Sequence, residues 1–197
     1  NATAEWSYRG AGGPENWGSL SEEFQQCDTG RLQSPVDLIS AKRADQLPEL
    51  QMSNDVFFPM EAVNDGRVLT TNVPEGYSFL KLLDEQYELQ QIQFHQPSEH
   101  TIDSLPFAME IQLIYRNVYG TYSVVSIFAQ DGVADHPEIA KVWNNMPVED
   151  GQPVAIVETF NVANLLPSDM SYYQYFGSLT TPPCTGGVAW AVMREPI

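Results

Sequence analysis

The sequence is poor in positive charge, in cysteine and in histidine, and it has no long apolar run. Its 9 Lys and Arg stand against 26 Asp and Glu, for a net charge of −17. A field of that sign repels polyanions, which excludes nucleic acid and anionic lipid headgroups as partners. The acids are scattered rather than gathered in a tail, so they read first as a solubilising surface. No stretch of about 20 apolar residues exists, so no transmembrane helix is expected. Neither a repeat nor a low-complexity linker divides the chain, and a single domain over 1–197 is expected. No charged-then-apolar leader opens it, so a processed N-terminus is expected.

What is present suffices for a core. Hydrophobic residues make up 43%, including 9 Phe, 9 Tyr and 4 Trp, which argues against disorder. Cys27 and Cys184 are the two cysteines, and their number alone leaves their pairing open. Gly and Pro punctuate the chain, and short apolar or alternating runs lie between them. Gln90–Gln96, Met109–Tyr115, Ser123–Phe128, Val154–Phe160 and Val188–Met193 read as strands. Pro137–Trp143 reads as a short helix with Asp135 or His136 before it, and Ser19–Phe24 as another, capped by Ser19 or Ser21. Strands with a few short helices predict an α+β, mainly β fold: a large, mostly antiparallel, twisted sheet with peripheral helices. The aromatic run Tyr172–Phe176 reads as sheet packing. Asn1-Ala2-Thr3 matches a glycosylation sequon.

Alternation puts Gln91, Gln93 and His95 on one face of their strand, with Ile92 and Phe94 on the other. In the next run Glu110, Gln112 and Ile114 share a face, opposite Met109, Ile111, Leu113 and Tyr115. Polar groups in apolar surroundings need partners. That face is therefore a hydrogen-bonded network or the wall of a cavity.

At these residues the chain resembles the α-class carbonic anhydrase family over nearly its whole length. The resemblance rests on Trp6-Ser7-Tyr8 with Gly13-Pro14-Glu15-Asn16-Trp17, and on Cys27 to Asp37 with its Gln33-Ser34-Pro35-Val36-Asp37. It continues through Phe94-His95-Gln96-Pro97-Ser98-Glu99-His100, Gly177-Ser178-Leu179-Thr180-Thr181-Pro182-Pro183-Cys184, and Val188-Ala189-Trp190 to Ile197. It implies the family fold, with its C-terminal part apparently absent, and a Cys27–Cys184 disulfide. It also implies CO2 hydration by a zinc ion on three histidines, which makes a bound water acidic enough to ionise near neutrality.

The ligand positions implied by the resemblance are Gln93, His95 and Gln112, with Glu110 supporting the third. Two of the three are amides, and the remaining histidines, His100 and His136, do not complete the set. His100 sits in a segment that the resemblance marks as structural. Arg67, after Asn64-Asp65-Gly66, takes the place of the proton-shuttle histidine, and an Arg releases no proton near neutral pH. Thr180, which would orient the attacking oxygen, and Glu99, which would accept a hydrogen bond from Thr180, are retained. Asn64, Gln91 and Thr181 are expected on the cavity wall. Gln93, His95, Gln112 and Glu110 are expected to close into a hydrogen-bond network in place of metal.

These departures favour an inactive carbonic-anhydrase-like scaffold without cofactor, a structural or binding subunit of a larger protein assembly. The disulfide points to an oxidising compartment: secreted, periplasmic or thylakoid-lumenal. One alternative is a carbonic anhydrase, a carbonate dehydratase, with a His–Gln–Gln metal site or a metal-free mechanism. Another is a module that binds bicarbonate or a similar small anion through Arg67.

Overall fold

The computed structural model describes residues 5–39, 41–57, 60–147 and 151–197; the Asn1-Ala2-Thr3 sequon lies outside them. The alternating runs form strands. In chain order these are β1 (Gln51–Asn54), β2 (Met60–Asn64), β3 (Leu69–Asn72), β4 (Ser78–Leu82), β5 (Glu85–His95), β6 (Thr101–Ile102) and β7 (Leu105–Pro106). Then follow β8 (Met109–Arg116), β9 (Tyr122–Ala129), β10 (Val154–Ile156), β11 (Tyr172–Ser178) and β12 (Gly186–Met193). Among the described residues ten of them build one sheet, ordered β10-β2-β3-β5-β8-β9-β12-β11, with β4 also on β5 and β1 on β4. Pairing is antiparallel except between β9 and β12. The expected mainly β, mostly antiparallel architecture is what forms.

Helices are short and peripheral: α1 (Trp17–Leu20), α2 (Gln26–Thr29) and α3 (Pro137–Asn144). The helix expected over Ser19–Phe24 is instead broken at Ser21. That residue is extended and its side chain accepts from the Glu23 N–H, capping a separate turn over Glu22–Phe24. A serine that caps one turn ends the one before it. The strand expected over Val154–Phe160 stops at Ile156, and Phe160 makes only an isolated bridge to Phe57.

The alternation sorts side chains between two cores. Ile92 and Phe94 of β5 join Ile111, Leu113 and Tyr115 of β8 on one face, where α3 adds Val142. Ile114 faces the other way, into a smaller cluster with Val124, Phe128, Val188 and Trp190. Leu89 also belongs to the first core, and strict alternation would drag Gln91 in with it. A register irregularity between Leu89 and Gln91 shifts the phase, as a bulge does. It lets Leu89 and Ile92 both pack inward while Gln91, Gln93 and His95 face out.

Candidate active site

Adjacent strands assemble the polar face. In the β5–β8 register Gln93 lies opposite Gln112 and His95 opposite Glu110. Directly opposed residues on one face have Cβ atoms about 5 Å apart, so the three expected ligand positions and Glu110 are neighbours. Glu110 is fully buried and pins the segment after β5. Its Oε2 accepts from the backbone N–H of Glu99 (2.9 Å) and of His100 (2.8 Å). Its Oε1 accepts from Ser126 Oγ (2.7 Å) and Gln112 Nε2 (3.0 Å), and lies 2.8 Å from His100 Nδ1. Burial alone would raise the Glu110 pKa. The hydrogen bonds and charge of His100, with Ser126, outweigh it and hold the carboxyl down to about 2. His100 is structural, as expected: its Nε2 lies 2.6 Å from the Tyr175 hydroxyl, which donates to Ser34 Oγ.

Glu99 departs from its expected partner. Among the described residues it makes no hydrogen bond with Thr180. Its Oε1 accepts from the Tyr8 hydroxyl (3.2 Å) and its Oε2 from Gln112 Nε2 (2.9 Å). His95 Nδ1 stands 3.4 Å from Oε1. Burial first, and then the Glu99 carboxylate, push the Tyr8 hydroxyl pKa well up, so it stays a neutral donor. Tyr8 is a site residue that the strand pattern misses. It comes from an irregular N-terminal segment, 91 residues from Glu99, where no periodicity marks a cavity wall. Its ring packs edge-on against Trp6 and Trp17.

The expected closed network does not form. Gln112 donates to Glu110 as anticipated, but Gln93 Nε2 turns to Gln91 Oε1 (2.9 Å). His95 Nε2 is buried without a partner. His95, Glu99, Thr180 and Arg67 line one cavity of about 650 Å3, together with Tyr8 and both cysteines. Asn64, Gln91 and Thr181, expected on this wall, are not on it. Asn64 instead accepts from the Gly66 N–H within its own turn, and Gln91 donates to Asn72. Gly66 takes φ +78° there, a conformation that costs glycine nothing. The turn delivers Arg67, whose Nε is 3.2 Å from Asp65 and whose Nη1 donates to the Trp6 carbonyl. Cys27 and Cys184 are bonded, which fits an extracytoplasmic, oxidising compartment.

The donors this face offers a divalent metal are one nitrogen and two oxygens, although Gln93 and Gln112 are not on the cavity wall that His95 lines. An unpaired buried ring nitrogen is costly unless something takes its lone pair, and His95 Nε2 is that nitrogen. Two carboxylates claim the NH2 of Gln112, and Gln91 claims that of Gln93. The carbonyl end of each amide is therefore left over as the donor. Such a set is harder and weaker than three imidazoles. Among the described residues no group of three His, Cys, Asp or Glu side chains forms a metal cluster.

The sequence model of the eukaryotic-type carbonic anhydrase family matches residues 12–197. A protein of Pectobacterium atrosepticum named carbonic anhydrase is 36% identical over 99% of this chain and 78% of its own length. Another of that name from Nostoc is 36% identical, over 99% of this chain and 75% of its own. The solved α-carbonic anhydrase of Thermovibrio ammonificans, in complex with the inhibitor sulfanilamide, superposes with a TM-score of 0.92 at 34% identity. That match covers 100% of this chain and 86% of that one. Relatives so named, aligned along the whole chain, overturn the expectation of an inactive scaffold and of a protein without a metal cofactor.

Proposed function

The chain belongs to the eukaryotic-type carbonic anhydrase family, and from that premise we propose that it is an extracytoplasmic carbonic anhydrase interconverting CO2 and bicarbonate. His95 would hold the metal through Nε2, with the carbonyl oxygens of Gln93 and Gln112. When bound, a metal ion supplies Lewis acidity, so that a water beside it ionises near neutral pH.

The remaining work falls to the chain. Gln91 turns the Gln93 amide, and Glu99 with Glu110 turns that of Gln112. Second partners of this kind keep ligands oriented and control affinity. Glu99 also faces His95 Nδ1, which leaves Nε2 as the nitrogen directed away from the carboxylate. Thr180, buried on the cavity wall, offers a hydroxyl to orient a water or CO2. Trp17, an apolar residue on the same wall, suits CO2, which has no charge to desolvate.

The observation that carries this reading is the buried, unpartnered Nε2 of His95, a residue of the cavity wall. Stopped-flow CO2 hydration with metal analysis tests it. The expected result is turnover above the buffer rate that falls on chelation, returns with Zn2+, and is lost in His95→Ala. Metal-replete protein that hydrates CO2 no faster than buffer would overturn it.

A further inference from the structure

We propose that Arg67 and Arg9 form an anion subsite at the mouth of the cavity, taking a small planar oxyanion. The identity of that anion as bicarbonate rests on the carbonic anhydrase reading; the existence of the subsite does not. The chain has only 9 Lys and Arg in 197 residues, yet two of them, Arg9 and Arg67, line this one cavity. Exposure sorts the wall into floor and rim. The side chains of His95 and Glu99 are 5% and 12% exposed, whereas that of Arg67 is 31% exposed and Arg9 is open to solvent.

Arg67 is fixed rather than waving. Its guanidinium carbon sits 4.6 Å from the centre of the Trp6 ring. One N–H reaches the Trp6 carbonyl at 3.3 Å and its Nε faces Asp65 at 3.2 Å. A guanidinium carries five N–H donors in a planar fork, so donors remain for a ligand. A fork held in place loses little freedom on binding a planar oxyanion, the geometry it matches best. Asp65 offsets much of the Arg67 charge, and Arg9 supplies what is missing. Among the described residues Arg9 has no ion-pair partner. The Glu99 carboxylate, which would repel an anion, lies at the floor with its oxygens taken by Tyr8 and Gln112. The anion therefore sits at the rim.

Calorimetric titration tests this, with sodium bicarbonate at pH 8 against sodium chloride of equal ionic strength, on protein as purified and after chelation. Trp6 beneath the guanidinium gives a second readout in fluorescence. Bicarbonate is expected to bind at millimolar concentration with or without metal, and more tightly than chloride. Losing a charge-assisted hydrogen bond costs roughly tenfold or more in affinity, so Arg67→Gln should weaken binding by that much and Arg9→Gln by less. Arg67→Lys, which keeps the charge but not the fork, should fall between wild type and Arg67→Gln. Binding unchanged in Arg67→Gln, binding seen only with metal present, or no heat at all would each overturn the subsite while leaving CO2 hydration to be judged on its own assay. Arg67-dependent binding in a protein that hydrates no CO2 would sink the enzyme reading and leave the subsite standing.

Discussion

At Glu110 five donors converge on two buried oxygens: two backbone N–H groups, an imidazole, an amide and a hydroxyl. Its carboxyl is held near 2 against an ordinary 4.5. A depressed carboxylate pKa contributes stability that is whole above the unfolded value and lost as pH falls through the folded one. Here that window runs from about 4.5 down to about 2, and the shift is worth about 3 kcal/mol. Urea melts of the wild type should therefore weaken steeply over that window. In Glu110→Gln, which already lacks the charge, this acid-dependent loss should be largely gone. Truncation is harsher: Glu110→Ala leaves a buried imidazole and four other donors unpaired, and should cost about 3–5 kcal/mol. The neighbouring amides give a second prediction. Gln93→His and Gln112→His each replace a neutral oxygen by an imidazole. Each should raise Zn2+ affinity by more than the roughly 10–100-fold that a supporting residue controls, read by competition titration rather than by turnover.

Between β5 and β8 the two faces carry separate tasks, and substitutions should separate them. Leu113→Ala on the core face should cost about 2–5 kcal/mol of stability and leave metal affinity near wild type. Gln112→Leu on the opposite face should abolish or strongly weaken metal binding, and it also strips a donor from both Glu99 and Glu110. This division was legible from alternation alone, because Ile92, Phe94, Ile111 and Leu113 obey a period of two that any half-buried strand obeys. What alternation does not carry is partner choice. That Gln93 turns to Gln91, and Gln112 to Glu99 as well as Glu110, depends on side-chain reach after the strands have paired. Tyr8 and Arg9, which line the cavity, and Trp6, which holds Arg67, were not legible in these roles for a different reason. They belong to a segment with no regular structure of its own, brought to the cavity by contacts such as the Trp17 Nε1–H donating to the Ser7 carbonyl. The break at Ser21 follows from a local choice between capping and continuing, which two adjacent serines at 19 and 21 leave undecided in sequence. The sequence misjudges the metal because two amides beside one imidazole weigh as a poor ligand set, and it is the relatives aligned along the chain that correct it.

Over the whole molecule one covalent tie and one field oppose each other. The Cys27–Cys184 bond joins α2 to the segment entering β12 across 157 residues. Closing a loop of that length removes unfolded-state entropy worth about 5 kcal/mol on the chain-entropy account. The net charge of −17 works the other way, since like charges repel more in the compact state than in the expanded one. Salt screens such repulsion over about 10 Å at 0.1 M but leaves a covalent tether untouched. The two effects should therefore separate in urea melts at neutral pH, with and without reductant, at low and high NaCl. Reduction should lower stability by up to about 5 kcal/mol, and salt should raise the midpoint of the oxidised and the reduced forms alike. A reduced protein as stable as the oxidised one would mean that the bridge does no more than mark the compartment. If salt lowered both midpoints instead, attractive ion pairs would outweigh the surplus of acids, against a structure in which the Asp65–Arg67 and Glu138–Lys141 pairs are small beside that surplus.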